Sequence, residues 1–176
     1  MIAMNTIQRN APCLIVLVGS PGSGKTTWAR RNGDTAIHVS QDDLIDAITP
    51  GGFDPASCAV YRAAEDAIAR AALSAGHSVI VDRTNRTRAH RERWLQLGRE
   101  HSCPAIAVVM QTSEELCRER NSQRDDRRRL SDERMNRMLA AFEPVHPDEG
   151  FASILIECEE ITKKEREFHE YCYETR

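Results

Sequence analysis

One lysine stands out in this sequence because of its position. Lys25 is the only lysine before Lys163, whereas nineteen arginines occur in the same stretch. It lies in a run that fits the phosphate-binding-loop (P-loop) pattern G-x-x-x-x-G-K-[ST], namely Gly19-Ser20-Pro21-Gly22-Ser23-Gly24-Lys25-Thr26. Glycines in such a loop let consecutive backbone N–H groups surround phosphate oxygens, and a following helix adds the positive end of its dipole. The run therefore predicts that the chain binds the phosphates of a nucleoside triphosphate.

The side chains of this run suggest separate duties. A compact ammonium fits between β- and γ-phosphates where a planar guanidinium would not, so Lys25 is expected to be exposed to ligand rather than packed. The Thr26 hydroxyl is a candidate ligand of Mg²⁺, and Thr27 continues the nucleotide contacts. The alternative interpretation is that residues 19–26 form an ordinary Gly/Ser-rich turn that fits the P-loop pattern by chance. The context argues against it, because an apolar run (14–18) precedes the loop and a helical segment (27–31) follows it.

Composition sets the broad class of the protein. A length of 176 residues with 40% hydrophobic and 29% charged residues predicts one globular domain. We expect a core over about 12–158, a lid over about 118–130 and an acidic helical tail over 159–176. No run approaches 18 apolar residues, so no membrane contact is expected. The six cysteines lack metal-ligand spacing and the N-terminus lacks a signal-peptide plan, which favours reduced thiols and a cytoplasmic location.

Short apolar runs alternate with helical segments along the chain. This alternation predicts a five-stranded parallel sheet with helices on both faces, an α/β fold. Ligands of such sheets bind beyond the carboxyl ends of the strands. The predicted strands are 13–18, 36–40, 78–82, 104–110 and 153–157. The predicted helical segments are 25–31, 55–75, 87–101, 113–121, 131–142 and 160–172.

Carboxylates follow two of the predicted strands. Asp42 and Asp43 come after the second strand, and either could cap the next helix, but two adjacent aspartates cannot both do so. One of them, with Asp42 preferred, is a candidate to orient an acceptor hydroxyl and take its proton. Asp82 ends the third strand, where it could be a turn residue or a carboxylate near Mg²⁺. The sequence therefore places candidate phosphoryl-transfer groups at one edge of the sheet.

Arginines concentrate in two stretches although the net charge is only −3. Residues 83–93 contain five arginines and one glutamate, and residues 118–134 contain seven arginines and five acidic residues. The second stretch could be a solvated helix face. Because its helical signal weakens after Asn121 and resumes at Ser131, we instead predict an Arg-rich lid in which Arg120 and Arg124 neutralise charge on the transferred phosphoryl group.

Together these residues resemble the P-loop polynucleotide 5′-hydroxyl kinases of nucleic-acid repair. The similarity runs from about Leu14 to Glu157. It rests on the P-loop run GSPGSGKTTWA, on Asp42 as the family's general base, on IVDRTN within 79–85 and on a lid segment RNSQR at 120–124. The resemblance implies a P-loop NTPase/kinase fold, ATP and Mg²⁺ as cofactors, and transfer of the γ-phosphate to 5′-hydroxyl ends of DNA or RNA.

Two departures from the family pattern affect the substrate. Some relatives carry an arginine three residues beyond the base, where this chain has Ile45. We therefore expect acceptor binding by the residues after the third strand, namely Arg83, Thr84, Asn85, Arg86 and Arg88. Many relatives are fused to a phosphatase or ligase domain, so a separate phosphatase or ligase partner is expected here. Only 5% of residues are aromatic, which favours a grip on short single strands over stacking along a long one.

Other functions remain open at this point. The acceptor could instead be a small metabolite, a nucleoside or a hydroxymethylated base in DNA. A nucleotide-dependent switch or assembly ATPase is disfavoured, because no clear glutamate beside Asp82 would activate water. The sequence leaves open DNA or RNA, ATP or GTP, and the oligomeric state.

Overall fold

A parallel five-stranded sheet forms the centre of the computed structural model, which describes residues 11–158. The predicted helix 160–172 and the acidic tail lie outside the described residues. The strand order is β2-β3-β1-β4-β5, and every neighbouring pair is parallel. The strands are β1 (Leu14–Val18), β2 (Ala36–Ser40), β3 (Ser78–Asp82), β4 (Ala105–Gln111) and β5 (Ser153–Cys158). The predicted P-loop kinase-like α/β fold is confirmed.

Six α-helices connect or follow the strands in the described part of the chain. They are α1 (Lys25–Asn32), α2 (Gln41–Ile48), α3 (Cys58–Ser74), α4 (Arg88–Glu100), α5 (Glu114–Ser122) and α6 (Asp132–Ala140). The segment predicted from residue 55 begins as a one-turn 3₁₀ helix, Pro55–Ser57, before α3. None of the described helices is both long and apolar enough to cross a membrane.

The core lies on both faces of the sheet because side chains alternate along β1. Leu14, Val16 and Val18 pack into one cluster that includes Trp94 of α4. Ile15 and Leu17 point the other way, into a cluster that includes Trp28 of α1. All five residues of β1 are buried, as expected for a central parallel strand covered on both faces.

The position of β1 sets the location of the ligand site. It pairs with β3 on one side and with β4 on the other. Strands β2 and β3 therefore lie on one side of β1, and β4 and β5 lie on the other side. Such a switch point opens a crevice beyond the carboxyl ends of the strands. The register Ser40↔Asp82 aligns the ends of β2 and β3 at this edge. The P-loop, α2 and the residues after β3 therefore meet here.

One arginine of the 83–93 stretch is a structural residue of the core. Arg91 on α4 is fully buried, and its Nε and Nη2 donate to the two carboxylate oxygens of Glu149, each at 2.7 Å. Its Nη1 also donates to the carbonyls of Asn85 (3.1 Å) and Glu143 (3.0 Å). The pair thus ties α4 to the loop after β3 and to the segment that follows α6.

Replacing Arg91 by methionine should destabilise the fold strongly. The change leaves the Glu149 carboxylate buried without its partner, which typically costs about 3–5 kcal/mol. Arg99→Met is the matched control on the same helix, because Arg99 forms only an exposed pair with Glu92 and should cost less than about 1 kcal/mol. Urea unfolding followed by circular dichroism measures both. Equal losses for the two variants would contradict the structural role of Arg91.

Candidate active site

The P-loop follows β1 and is shaped by glycines in the left-handed region. Gly22 has φ +83°, and a Cβ there would lie 2.5 Å from the carbonyl oxygen of Cys117 on α5. Gly24 has φ +88° and forms the N-cap of α1 without any side-chain cap hydrogen bond. The first N–H groups of α1 are therefore not capped by a side chain and can face an anion.

Lys25 is more enclosed than the sequence suggests. Its side-chain Nζ donates to the carbonyls of Gly19 (3.0 Å) and Ser20 (2.7 Å) and to the Ser23 hydroxyl (3.3 Å). The residue is only 8% exposed, so it is packed within the loop although it also lines the cavity that a ligand would enter. Backbone carbonyls of the loop thus supply hydrogen-bond acceptors to the buried ammonium.

This environment changes the ionisation of Lys25. Burial lowers its pKa to about 8, the nearby charge of Asp82 opposes the shift, and that of Arg124 adds to it. A nearby anion would favour the charged form of Lys25 and raise its pKa again.

Asp82 lies next to Lys25 and Thr26 at the end of β3. Burial alone would raise the pKa of Asp82, but hydrogen bonds from His38 and Thr26 and the charge of Lys25 outweigh it and hold the pKa below its usual value. The His38 Nε2 is 3.1 Å from Asp82 Oδ2. An ionised carboxylate beside a threonine hydroxyl is a donor set that suits Mg²⁺ completed by phosphate and water oxygens. Thr26 and Asp82 therefore fit the metal that the resemblance implies.

The two adjacent aspartates of α2 face different surroundings. Neither caps the helix, because the Ser40 hydroxyl accepts from the Asp43 backbone N–H (3.3 Å). Asp42 lines the large cavity beside the P-loop, whereas Asp43 does not line it and instead pairs with Arg128 at 3.0 Å. The structure therefore brings Asp42, but not Asp43, to the cavity that the P-loop also lines.

The two predicted lid arginines border the same cavity. Helix α5 ends at Ser122 and α6 begins at Asp132, which leaves a connection that begins just before Arg124. Arg120 on α5 donates to the carbonyl of Gly22 at 3.3 Å. Both Arg120 and Arg124 line the cavity, and Arg124 lies close enough to Lys25 to lower its pKa, although burial is the larger cause.

The arginines after β3 divide into two groups. Arg83 and Arg86 line the cavity, and the buried Nε of Arg86 has no hydrogen-bond partner among the described residues. Arg88 does not line it, since its side chain turns to Asp148 at 3.2 Å. Arg93 pairs with the buried Glu65 (2.9 Å) and stacks over Trp94. The structure thus brings only part of the predicted arginine cluster to the site.

The other two predicted acceptor residues have structural partners. The Asn85 side chain donates to the Leu17 carbonyl (2.7 Å) and accepts from the Trp94 indole N–H (3.1 Å). The Thr84 carbonyl accepts from the Gly19 N–H at 3.1 Å. Both residues line the cavity, but the amide of Asn85 already has a partner on each atom. Its observed role is to hold the P-loop strand.

Several cavity residues were missed by sequence reasoning. Arg62 on α3 and His90 on α4 line the acceptor-side wall with Arg83 and Arg86. Burial, followed by the charges of Arg86, Arg83 and Arg62, lowers the pKa of His90. Arg62 and His90 lie on long helices whose cavity-facing side no motif reveals. His38 did carry a signal, as a polar residue within an apolar strand.

The cavity as a whole is large and cationic. Its volume is about 1870 Å³, whereas single small-ligand sites typically measure roughly 300–1,000 Å³. Of the described residues, ten arginines and Lys25 line it, against four carboxylates from Asp42, Asp46, Asp82 and Glu157. The net charge of the chain is −3, so this surplus is a local property of the site. The cavity has the size and charge for more than one anionic group.

A family model described as "AAA domain" (AAA_33) matches residues 14–145, most of the chain. The chain belongs to this family. The matched part of this AAA domain contains the P-loop, Asp42, Asp82 and the connection between α5 and α6.

Curated relatives include a polynucleotide kinase. The AAA domain is 27% identical over 146 residues to the bifunctional polynucleotide phosphatase/kinase of Schizosaccharomyces pombe, covering 80% of this chain and 32% of that protein. It is 29% identical over 150 residues to the transcription factor bHLH140 of Arabidopsis thaliana, covering 81% of this chain and 15% of that protein. The chain therefore spans about a third or less of these relatives. The first relative confirms the resemblance that the motifs indicated.

Solved structures share the fold. The Pnkp1/Rnl/Hen1 complex matches with a TM-score of 0.54 and 27% identity, over 62% of this chain and 39% of the other. Chaetomium thermophilum Kti12 in complex with ADP-AlF3 matches with a TM-score of 0.61 and 19% identity, over 92% and 97%. A gluconokinase from Sinorhizobium meliloti 1021 matches with a TM-score of 0.55 and 16% identity, over 96% and 100%. At identities below 25%, the last two show the fold alone.

The pH dependence of triphosphate binding should report on Lys25. Above pH 8 the free lysine is largely neutral, and anionic phosphates favour its protonated form, so binding should take up a proton and weaken as pH rises. Calorimetry at pH 7 and pH 9, in buffers of different ionisation enthalpy, measures this uptake. Lys25→Met is the control and should remove the uptake; an unchanged uptake in that variant would contradict the assignment.

The same pKa has a consequence for the nucleotide-free protein. The pKa of Lys25 is about 8 in the folded chain and ordinarily 10.5, so the unfolded chain holds more protons between these two pH values. The contribution of Lys25 to the free energy of unfolding should therefore rise with pH between 8 and 10.5.

Proposed function

We propose that this protein is an ATP-dependent polynucleotide 5′-hydroxyl kinase, which transfers the γ-phosphate of ATP to 5′-hydroxyl ends of DNA or RNA. The family match and the polynucleotide phosphatase/kinase relative support a phosphotransferase. A separate phosphatase or ligase is the partner we propose, in keeping with the multi-enzyme name of the Pnkp1/Rnl/Hen1 complex.

The observation that carries this proposal is the charge of the shared cavity. Eleven cationic side chains line it against four carboxylates, a surplus of seven positive charges. Glu65, Asp43 and Glu133 lie just outside the lining and pair with Arg83, Arg128 and Arg137, which reduces this surplus but leaves it positive. A triphosphate carries about four negative charges, two of which a bound Mg²⁺ would offset. The positive charge of the cavity that the Mg²⁺-bound triphosphate does not neutralise favours an acceptor that itself carries phosphate.

The donor side of the proposed reaction uses the P-loop. Backbone N–H groups at the start of α1 bind phosphate oxygens, and Lys25 exchanges its carbonyl partners for the β- and γ-phosphates. Thr26 and Asp82 would hold Mg²⁺, which supplies charge neutralisation on the phosphates. Arg120 and Arg124 stabilise charge on the transferred phosphoryl group.

The acceptor side uses Asp42. Its carboxylate accepts the proton of the 5′-hydroxyl as that oxygen bonds to the γ-phosphorus and the bond to the β–γ bridging oxygen breaks. Arg83 and Arg86 bind the acceptor phosphates, with Arg62 beside them. Ile45 also lines the cavity, where some relatives carry an arginine, so this chain would take its acceptor cations from other elements.

Transfer of labelled γ-phosphate tests the proposal directly. The purified protein is offered ATP with short 5′-hydroxyl single strands of DNA and RNA, with matched 5′-phosphorylated strands as controls. We expect label only on the 5′-hydroxyl strands. Label on neutral small alcohols, and none on any oligonucleotide, would overturn the proposed acceptor while leaving a kinase.

A small-molecule acceptor is the second candidate function. It is favoured by one specific observation, namely that only Arg83 and Arg86 of the five arginines in residues 83–93 line the cavity. The gluconokinase match shows that this fold also occurs in a small-metabolite kinase. The same transfer assay, run with nucleosides and sugars in parallel, separates the two candidates.

The base assignment predicts unequal roles for adjacent aspartates. Asp42→Ala should lower the single-turnover rate about 10²- to 10⁴-fold with little change in ATP affinity, because the base acts on the acceptor. Asp43→Ala is the matched control and should lower it much less, because Asp43 does not line the cavity. Rapid-quench measurements at saturating ATP compare them. A reversed order would move the base to Asp43.

The acceptor arginines should be visible in the salt dependence of binding. Contacts to two or three phosphates of a single strand give a log–log slope of about −1.5 to −2 for acceptor affinity. Replacing Arg83 and Arg86 together by alanine should flatten this slope and leave ATP binding unchanged. Arg88→Ala serves as the control, because its side chain faces Asp148 outside the cavity, and it should keep the slope. If the salt dependence flattened in Arg88→Ala and not in the double variant, the division between cavity-lining arginines and Arg88 would be refuted.

A further inference from the structure

The connection between α5 and α6, residues 123–131, is an ordered loop closed at its base. The Asn121 side chain donates to the Leu130 carbonyl (2.8 Å) and accepts from the Leu130 N–H (3.0 Å). Asn121 is only 5% exposed. Asp125 accepts from the N–H groups of Arg127 and Arg128 through its side chain. These hydrogen bonds give the connection a defined shape that side chains at its tip can use.

Arg128 extends from this connection to α2. Its Nη2 donates to Asp43 Oδ1 at 3.0 Å, and its Nε donates to Asp46 Oδ2 at 3.2 Å. The Nη2 also contacts Asp46 Oδ2. All three side chains are between about one third and one half exposed, so these contacts add little to global stability. They can nevertheless set the distance between the two elements that they join.

The effect of Arg128 on the charge of α2 is selective. Three carboxylates occupy the first two turns of this helix, at Asp42, Asp43 and Asp46. Arg128 pairs with two of them, whereas Asp42 has no ion-pair partner within residues 11–158. The hydrogen bonds that Arg128 donates to Asp46 and to Asp43 raise its pKa, and burial opposes the shift. Arg128 thus reduces the negative charge beside a cavity that must admit phosphates.

The same connection carries Arg124 into the cavity. The carbonyl of Arg124 accepts from the Arg129 guanidinium at 3.1 and 3.2 Å, which fixes its backbone within the loop. Arg124 and Asp42 line the same cavity from different elements. Arg128 is the described residue that joins these two elements by ion pairs.

We infer that Arg128 is a positioning residue for phosphoryl transfer: it ties α2 to the α5–α6 connection and so sets Asp42 against Arg124. Arg128 and Asp46 also line the cavity, but the Arg128 guanidinium is engaged by Asp43 and Asp46, so the role that we assign acts through these carboxylates and not through the reacting atoms. The inference rests on the proposed function. Small displacements of reacting groups are costly, since a shift of about 1 Å can lower a rate about 10²-fold.

A double-mutant cycle tests this role. Arg128→Ala should lower the single-turnover rate about tenfold, with ATP affinity within about twofold of the unaltered protein. The pair Asp43→Asn with Asp46→Asn should cause the same loss, and combining all three changes should add nothing further. Two outcomes would overturn the inference: a triple variant whose loss equals the sum of the two separate losses, or a loss with Arg128→Ala and none with the aspartate pair. Either would mean that Arg128 contacts phosphate itself.

Exchange of the charges gives a second readout. Arg128→Asp combined with Asp46→Arg should recover part of the rate lost in Arg128→Asp alone, as expected of an ion pair and not of a phosphate contact. Arg70→Ala is the control, because Arg70 forms an exposed pair with Glu100 away from the cavity, and its rate should stay unchanged. No recovery in the exchanged protein would count against the tie.

Hydrogen exchange separates this inference from the proposed function. Arg128→Ala should speed amide exchange in residues 123–131 and in α2, and Arg70→Ala should not. Unchanged exchange would refute the tie whatever the substrate is. If exchange rises but the unaltered protein phosphorylates no 5′-hydroxyl strand, the proposed acceptor fails and the tie stands.

Discussion

The hydrogen bonds of Asn85 are the constraint on which the geometry of the site depends. Asn85 sits just after β3 with φ 43°, a left-handed conformation that asparagine tolerates better than most residues. Its side chain bonds β1 through the Leu17 carbonyl and α4 through the Trp94 indole, and its own carbonyl accepts from Arg91. Beside it, the Thr84 carbonyl accepts from Gly19 at the start of the P-loop. One residue therefore joins the P-loop strand, the loop that follows β3 and helix α4.

The arginines show how one residue type serves different ends according to its surroundings. Arg91 is fully buried and satisfied by a carboxylate and by backbone carbonyls, so its charge is already compensated and it acts as structure. Arg83 is intermediate, since the buried Glu65 holds its guanidinium at 2.6 Å while its side chain still borders the cavity. The Arg86 Nε has no partner among the described residues. Charge that is compensated within the protein supports the fold, and charge that is not compensated is available to a ligand.

The P-loop shows the same balance on a smaller scale. The carbonyls of Gly19 and Ser20 accept hydrogen bonds from the Lys25 ammonium, but burial still lowers its pKa to about 8. Phosphate oxygens carry full negative charge and are better partners for a buried cation than carbonyl dipoles. The P-loop therefore has the shape of a phosphate site, and its lysine gains when phosphate oxygens take the place of carbonyls.

Much of the fold and part of the site could be predicted from the sequence alone. Apolar runs, glycines and the strand–loop–helix order determine β1, the P-loop and the parallel sheet, because buried parallel strands and left-handed glycines leave local signals. The preference for Asp42 over Asp43 also agrees with their different surroundings. The partners of the arginines were decided only by tertiary structure. A cluster such as 83–93 looks uniform along the chain, but helical geometry turns Arg91 to Glu149 and Arg88 to Asp148, residues about 60 positions away. Ion pairs over such distances leave no local pattern, and the enclosure of Lys25 and the tie between Arg128 and α2 were hidden from the sequence for the same reason.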